Sequence, residues 1–339
     1  MYSIPKPAEQ TLPQAENLFK AVLFPTLIFV SFLLARLTAE SLAFPAPHHL
    51  LLKWALLLAL ATFDSMLIIG MGILAHDAVH RVLFRNRFWN DFIGGLLSAL
   101  ALIPFYANRQ FHLTHHGYAH QPGHDPEAAM HDRPFWIALT WGSIVALQEQ
   151  YRFMFRNLAA GRRDTKRALR FLKDLALLAA AAGFYAGTLI LSGASWLHTL
   201  LPILLVLPLV FGYRALSDHY GVPAVARKSL ESEAIFESTD PGWDRSQRLV
   251  RHQISGWVIL SPAWLEWLWS HVNYHEVHHK FPWLSHVHLK NAFEATRHQL
   301  PYLVARGYTR NLFRLMRLPY FSQRQDVAEC LSVQREPRP

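Results

Sequence analysis

Three short histidine strings are the residues of this chain best suited to chemistry. They read "HDAVH", "HLTHH" and "HEVHH", and their histidines are His76, His80, His112, His115, His116, His275, His278 and His279. On a helix, positions i, i+3 and i+4 share one face, with neighbouring Cβ atoms about 5–6 Å apart. Each string therefore directs its imidazoles into one volume, as a multi-histidine metal site requires.

Chance does not explain these strings, although the chain holds 20 histidines in 339 residues. At that frequency, one His-x-x-His-His pattern is expected about 0.07 times, whereas two copies occur beside a His-x-x-x-His. Eight histidines exceed the four ligands of one structural zinc ion, so two metal ions are expected. Imidazole binds Zn, Cu, Fe and Ni alike, and the ligand type leaves the metal open.

The composition is typical of a membrane protein and not of a nucleic-acid-binding one. Apolar residues make up 52% and charged residues 17%, and the net charge is +9. Soluble domains carry nearer a quarter of charged residues. The basic residues follow apolar runs instead of covering a polar domain, so we expect no nucleic-acid partner. The single cysteine, Cys330, excludes a disulfide framework and a cysteine-based metal site.

An all-α integral membrane fold is predicted from the long apolar segments. Four of them are long enough to cross a bilayer, at 21–44, 54–75, 175–192 and 196–213. The segment 91–107 is shorter and carries two glycines and a proline, which favours a re-entrant or interfacial helix. The tryptophan-rich segment 254–269 is predicted to form another interfacial helix.

The basic residues predict the orientation of these spans. Eight lysines and arginines lie in 151–173, which we expect to be a cytoplasmic loop. Four spans then place both termini, all three histidine strings and a histidine-rich helical cap on the cytoplasmic face. The expected division is a cytoplasmic N-terminal segment (1–20), a membrane domain (21–320) and a cytoplasmic C-terminal tail (321–339). Asp64, halfway along the second span, is predicted to make a polar contact between helices.

The order of the three strings resembles the histidine boxes of the integral-membrane fatty acid desaturase superfamily, which includes related hydroxylases and ketolases. The resemblance covers about residues 50–310. It implies two iron ions bound by the eight histidines, with O₂ as co-substrate. It also implies a ninth ligand between the last span and the third box, and His219 of "SDHYG" holds that place. Part of the family has an asparagine four residues earlier, where this chain has Ala215.

Other residues around the boxes are given supporting roles. Four carboxylates are candidates to orient the ligands, namely Asp77, Asp125, Asp218 and Glu276. Six further histidines lie near the boxes, and most are expected to be solvated or interfacial while a minority support the ligands: His120, His124, His131, His271, His286 and His288. Phe281 and Trp283 are expected to be interfacial neighbours of the third box.

The resemblance makes a fatty acyl desaturase the first functional hypothesis. A carotenoid or other lipid hydroxylase or ketolase is the alternative within the same chemistry, and a non-catalytic membrane metal-binding or transport protein is the alternative of another class. The expected partners are a membrane lipid or acyl chain and an electron donor such as a ferredoxin or a cytochrome-type carrier. We expect a multi-pass protein of a bacterial inner membrane.

Overall fold

The computed structural model describes residues 3–41, 47–121, 123–222 and 254–317. The helices are α1 (Gln14–Ser41), α2 (Pro47–Val79), α3 (Arg87–Leu100), α4 (Phe105–Tyr118), α5 (Ala128–His131), α6 (Phe135–Ala160), α7 (Thr165–Ser192), α8 (Leu200–His219), α9 (Ala263–Leu268), α10 (His275–Lys280), α11 (His286–Thr296) and α12 (Tyr308–Leu315). Two short strands, β1 (Trp257–Leu260) and β2 (Leu303–Arg306), pair in parallel. The predicted C-terminal tail, 321–339, and Cys330 lie outside the described residues.

Four helices are long and apolar enough to span a membrane, as predicted: α1, α2, α7 and α8. Three of them extend well beyond the predicted segments toward the histidine strings, because polar residues there continue the helical backbone. For example, α2 continues to Val79, so His76 lies within its last turns. The protein is therefore an all-α integral membrane protein with a small mixed cap.

The helices α3 and α4 meet at an angle of 93° in place of crossing as one straight span. Leu102 between them has a left-handed backbone with φ of 62°, and Pro104 precedes the first turn of α4. Asn86 begins α3, where its side chain accepts hydrogen bonds from the backbone N–H groups of Phe88 and Trp89. This sharp turn is the geometry that a re-entrant segment needs, and it points α4 back toward the end of α2.

The core of the spanning region forms where α2 packs against α1, α3 and α8. Within it, Ser31 of α1 donates a hydrogen bond of 2.9 Å to the buried carboxylate of Asp64. The predicted polar contact between helices is confirmed. An isolated carboxylate would be costly at this depth, so this pairing explains how the second span accommodates it.

Two predicted elements are wrong. The tryptophan-rich segment 254–269 is not one interfacial helix, because β1 occupies its first half and buries Trp257. The short α9 follows only after Pro262, which cannot continue a strand ladder. The basic segment 151–173 is not a loop either. It comprises the end of α6, a turn, and the start of α7, which Asp164 caps with its side chain.

The cap encloses the third histidine string. Phe281 and Trp283 are buried in its apolar core together with Val258 and Phe293, so the prediction that they are interfacial is wrong. The N-terminal segment packs onto the same core. Gln10 accepts a hydrogen bond of 2.8 Å from the backbone N–H of Ser285. These contacts hold α10 between β1 and the N-terminal segment.

Candidate metal centre

All nine predicted ligand histidines surround one buried volume where the ends of α2, α4 and α8 meet α10. Five of them form a first set, which we call the five-histidine group: His76, His80, His112, His116 and His278. One ring nitrogen from each of these residues lies within 4.8 Å of the others. The helical spacing of each string therefore does bring its imidazoles to a common face.

The remaining four histidines form a second set beside the first. His115, His219 and His279 meet the same 4.8 Å criterion. His275 joins them, because its Nε2 atom lies 2.8 Å from Nε2 of His219 and 3.1 Å from Nε2 of His279. We call His115, His219, His275 and His279 the four-histidine group.

The spacing of the ring nitrogens fits metal coordination better than hydrogen bonding. Nε2 of His116 lies 3.0 Å from Nε2 of both His112 and His278. Neutral imidazoles can satisfy only one such contact per N–H, so these facing nitrogens cannot all be paired with one another. A metal about 2.1 Å from each nitrogen separates ligands at right angles by about 3.0 Å. The donor set thus fits two metal ions, although the ligand roles themselves remain predictions.

The histidines of the third string are held in the form that binds a metal. Burial lowers the pKa of His275, His278 and His279 well below the ordinary value, and neighbouring imidazoles lower it further. These rings are neutral near pH 7, so each has a lone pair available for coordination.

Asp125 orients one histidine of the four-histidine group. Both of its carboxylate oxygens lie 3.0 Å from Nδ1 of His115. Burial alone raises the pKa of Asp125, but the charge and hydrogen bond of His115 and contacts with His120 lower it overall. An ionised Asp125 accepts a hydrogen bond from Nδ1–H of His115, which directs Nε2 of this ring toward the metal volume. Asp125 therefore has the predicted orienting geometry.

The other three candidate carboxylates have different partners. Asp77 lies 2.7 Å from Nδ1 of His286, Asp218 pairs with Arg214, and Glu276 pairs with Lys280. These three contacts do not involve a histidine of either group, so they do not support the expectation that Asp77, Asp218 and Glu276 orient ligands. Their positions beside box histidines in sequence are misleading, because adjacent residues on a helix face different directions.

His219 is oriented by backbone instead of by a carboxylate. Its Nδ1 atom lies 2.7 Å from the carbonyl oxygen of Ser255, which accepts the N–H and leaves Nε2 toward His275. Ala215 packs against Met130 and Ala146 in an apolar cluster. Ala215 therefore offers no side-chain amide at the position where part of the family has an asparagine.

Three of the histidines expected to be solvated are buried instead, namely His120, His131 and His286. Nε2 of His120 lies 3.0 Å from both Nδ1 of His219 and the Ser255 carbonyl, and burial lowers the pKa of His120 to about 4. His120 lies beyond the end of α4 and has a left-handed backbone with φ of 62°, so helical spacing does not predict its position. The short loop before Asp125 carries it beneath the four-histidine group.

A mostly apolar cavity of about 350 Å³ reaches the histidines, and no sequence motif predicts it. Its wall includes His76, His112 and His275. It also includes Ile144 of α6 and Leu204 of α8, which are 42% and 55% exposed. The cavity therefore runs from the metal volume to the outer surface between α6 and α8.

Comparison with known proteins agrees with this architecture. Residues 49–310 match the family model described as fatty acid desaturase. A fatty acid desaturase of Bacillus subtilis (strain 168) is 26% identical over 263 residues, an alignment that covers 71% of this chain and 68% of that protein. The family match includes all three histidine strings, His219 and the spans α2, α7 and α8. The chain belongs to the fatty acid desaturase family.

Proposed function

We propose that this protein is an O₂-dependent di-iron oxidoreductase that introduces a double bond into the acyl chain of a membrane lipid. The observation that carries the proposal is the convergence of nine histidines, in groups of five and four, at the inner end of an apolar cavity. Family membership supports the desaturase reaction over other metal chemistry.

The chain's own residues supply binding and positioning. Two bound irons would supply the oxidation of an unactivated C–H bond with O₂. The five-histidine and four-histidine groups would hold the ions, and Asp125 and the Ser255 carbonyl would fix two of the rings. The apolar wall excludes water and places one segment of the lipid beside His76 and His112.

The substrate would enter sideways from the bilayer. Ile144 and Leu204 line the cavity and are exposed on the surface of α6 and α8, and α8 is one of the spanning helices. A lipid chain could therefore pass between these helices without leaving an apolar environment. This arrangement explains why a cavity beside the buried histidines opens on an apolar face of the protein.

The electrons would come from a separate carrier of the ferredoxin or cytochrome type. The basic first turns of α7 lie beside the end of α2 that carries the histidines, because Lys166 and Arg170 line one pocket with Arg81, which directly follows His80. The positive-inside rule assigns that face to the cytoplasm. A cytoplasmic carrier would then reach the metal centre through the cap.

Lipid profiling of a host that expresses the chain tests this proposal. We expect a new double bond in membrane acyl chains with the native chain and none with His115→Ala, which removes a predicted ligand. Unchanged acyl chains together with carotenoids or other lipids that gain oxygen would instead establish a hydroxylase or ketolase.

Metal analysis of the purified protein separates the enzyme from a metal carrier. We expect about two irons per chain, one for each histidine group. Stoichiometric zinc without iron, in protein from iron-replete cells, would contradict the oxidoreductase and support the metal-binding or transport alternative.

A further inference from the structure

The wall of the cavity contains a set of polar side chains, which we call the polar station. An unsubstituted hydrocarbon chain cannot form hydrogen bonds with them. Outside the metal centre, four polar atoms on this wall are buried without a hydrogen-bond partner among the described residues: Ser143 Oγ, Gln150 Oε1, Arg214 Nε and Asp218 Oδ1. Buried polar atoms without partners are rare in native proteins, because each forfeits its hydrogen bonds to water. Four of them around one apolar cavity indicate that its occupant supplies the partners.

The side chains at this station are held in place by their other atoms. The amide nitrogen of Gln150 donates a hydrogen bond of 3.1 Å to Asn108 Oδ1. A guanidinium nitrogen of Arg214 lies 2.5 Å from the other carboxylate oxygen of Asp218. Gln150, Arg214 and Asp218 are 8%, 8% and 3% exposed. Each is therefore fixed at one end and presents its unpartnered atom from a preorganised position.

Three further unpartnered atoms on the wall belong to the metal centre instead, namely Nε2 of His76, Nδ1 of His275 and Oε2 of Glu127. Glu127 Oε2 lies 3.6 Å from Nδ1 of His115 and 3.9 Å from Nδ1 of His112. Its neighbours are thus histidines of the two groups. Glu127 therefore belongs to the metal centre and not to the polar station.

The unpartnered atoms select one kind of ligand. Gln150 Oε1 and Asp218 Oδ1 are acceptors, Arg214 Nε is a donor, and Ser143 can act as either. A hydroxyl group donates one hydrogen bond and accepts others, so it can pair with both kinds of atom. A carbonyl only accepts and would leave both acceptors unpaired, and a plain methylene pairs with none.

We propose that the lipid substrate carries a hydroxyl group, which hydrogen-bonds to atoms of the polar station of Ser143, Gln150, Arg214 and Asp218 along the cavity that reaches the metal centre. This inference rests on the proposed function, which it deepens by naming the substrate class. The same hydrogen bonds would set which C–H bond faces the metal volume, because the hydroxyl fixes the chain's position along the cavity.

Binding of lipids to the purified full chain tests the inference. Stearic acid and its positional hydroxystearic acid isomers would each be used to displace a bound fluorescent fatty acid. We expect one isomer to bind at least about tenfold tighter than stearic acid, because a site built to bond a hydroxyl discriminates against the analogue lacking it. Gln150→Leu should remove this preference and leave the affinity for stearic acid intact.

Gln148→Leu is the matched control, since it makes the same change two residues away on the exposed face of α6. It should keep the preference. Ser143→Ala is the second variant at the station. It tests the same preference if Gln150→Leu fails to fold. A preference that survives both station variants would overturn the assignment.

The outcomes also separate this inference from the proposed function. If stearic acid and all its hydroxy isomers bind the native chain equally, the polar atoms hold only water and the inference is wrong, while the proposed function stands. If no acyl lipid displaces the probe, the acyl substrate itself is contradicted and both fail.

Discussion

The five-histidine and four-histidine groups lie side by side but are held by different parts of the molecule. Four rings of the first group come from α4, from α2 and from His80 directly after α2, and both helices pack within the core of the membrane region. The second group depends on the loop that carries Asp125 and on the backbone of Ser255, at some distance along the chain. Both groups have rings on α4 and α10, but two rings of the four-histidine group are also oriented by polar contacts from a loop and from the backbone of the cap.

This difference indicates that the two predicted metal positions should respond differently to mutation. Helix packing tolerates loss of a polar contact but not added volume, because cores are close-packed. A ring held by one hydrogen bond responds to loss of that bond, because the bond sets both its tautomer and its orientation. Variants that add volume to a helix contact and variants that remove a hydrogen bond can therefore be directed at each group.

Removal of a single ligand should give the largest effect. We expect His279→Ala, in the four-histidine group, and His278→Ala, in the five-histidine group, each to lower activity by more than about 100-fold, the upper range for residues outside a ligand set. Each variant should keep about one of two metal ions, measured by elemental analysis of protein purified from the membrane. Loss of both ions from either variant would mean that the groups form one cooperative site.

Loss of the hydrogen bond to His115 should have an intermediate effect. Asp125→Asn should weaken metal affinity or activity by about 10–100-fold, because an amide no longer holds Nδ1 of His115 as a donor. Metal titration of the apoprotein should locate the weakening at one of the two ions.

Asp77→Asn provides the control for this change. Asp77 also bonds the Nδ1 atom of a buried histidine, His286, which belongs to neither group. It should leave the metal affinity within a few fold of the native value. Equal weakening by both variants would show that general loss of buried charge, and not the orientation of His115, explains the result.

The spacing within each string was enough to predict which histidines come together, because i, i+3 and i+4 fall on one helical face wherever the helix lies. His219 needed the family resemblance, because no neighbouring ligand marks it in the sequence. Its partner, the Ser255 carbonyl, was not predictable, since any residue can offer a backbone oxygen. The same holds for the burial of His120, which depends on a loop closing against the cap.

The strand β1 shows why the element type was misassigned at 254–269. Tryptophans dominate the whole segment and suggested one interfacial helix, but "WVIL" at 257–260 is a short apolar run with β-branched residues. Such a run is equally consistent with a buried strand. Its partner β2 lies more than 40 residues later, and pairing with this distant strand makes 257–260 a strand and not a helix.

Substitution of either of two glycines by alanine should give the smallest effect. The added volume should disturb the packing around one histidine group and not the other. A Cβ at Gly94 would lie 2.1 Å from Cβ of Ala78, so Gly94→Ala must push α3 away from the helix that carries His76 and His80. A Cβ at Gly256 would lie 2.7 Å from the backbone oxygen of Asp218 and 3.6 Å from the ring of His275. Each change should cost about 1–3 kcal/mol of stability.

Thermal unfolding and metal titration together distinguish the two glycine variants. Both variants should lower the unfolding midpoint. Gly94→Ala should weaken metal binding by the five-histidine group, and Gly256→Ala should weaken metal binding by the four-histidine group. Gly183→Ala in α7 is the control, because a Cβ there meets no atom within 4 Å. It should be neutral or stabilising by up to about 1 kcal/mol, since alanine favours a helix. If Gly94→Ala weakened both ions equally, helix packing would support the whole centre and the contrast between the groups would fail.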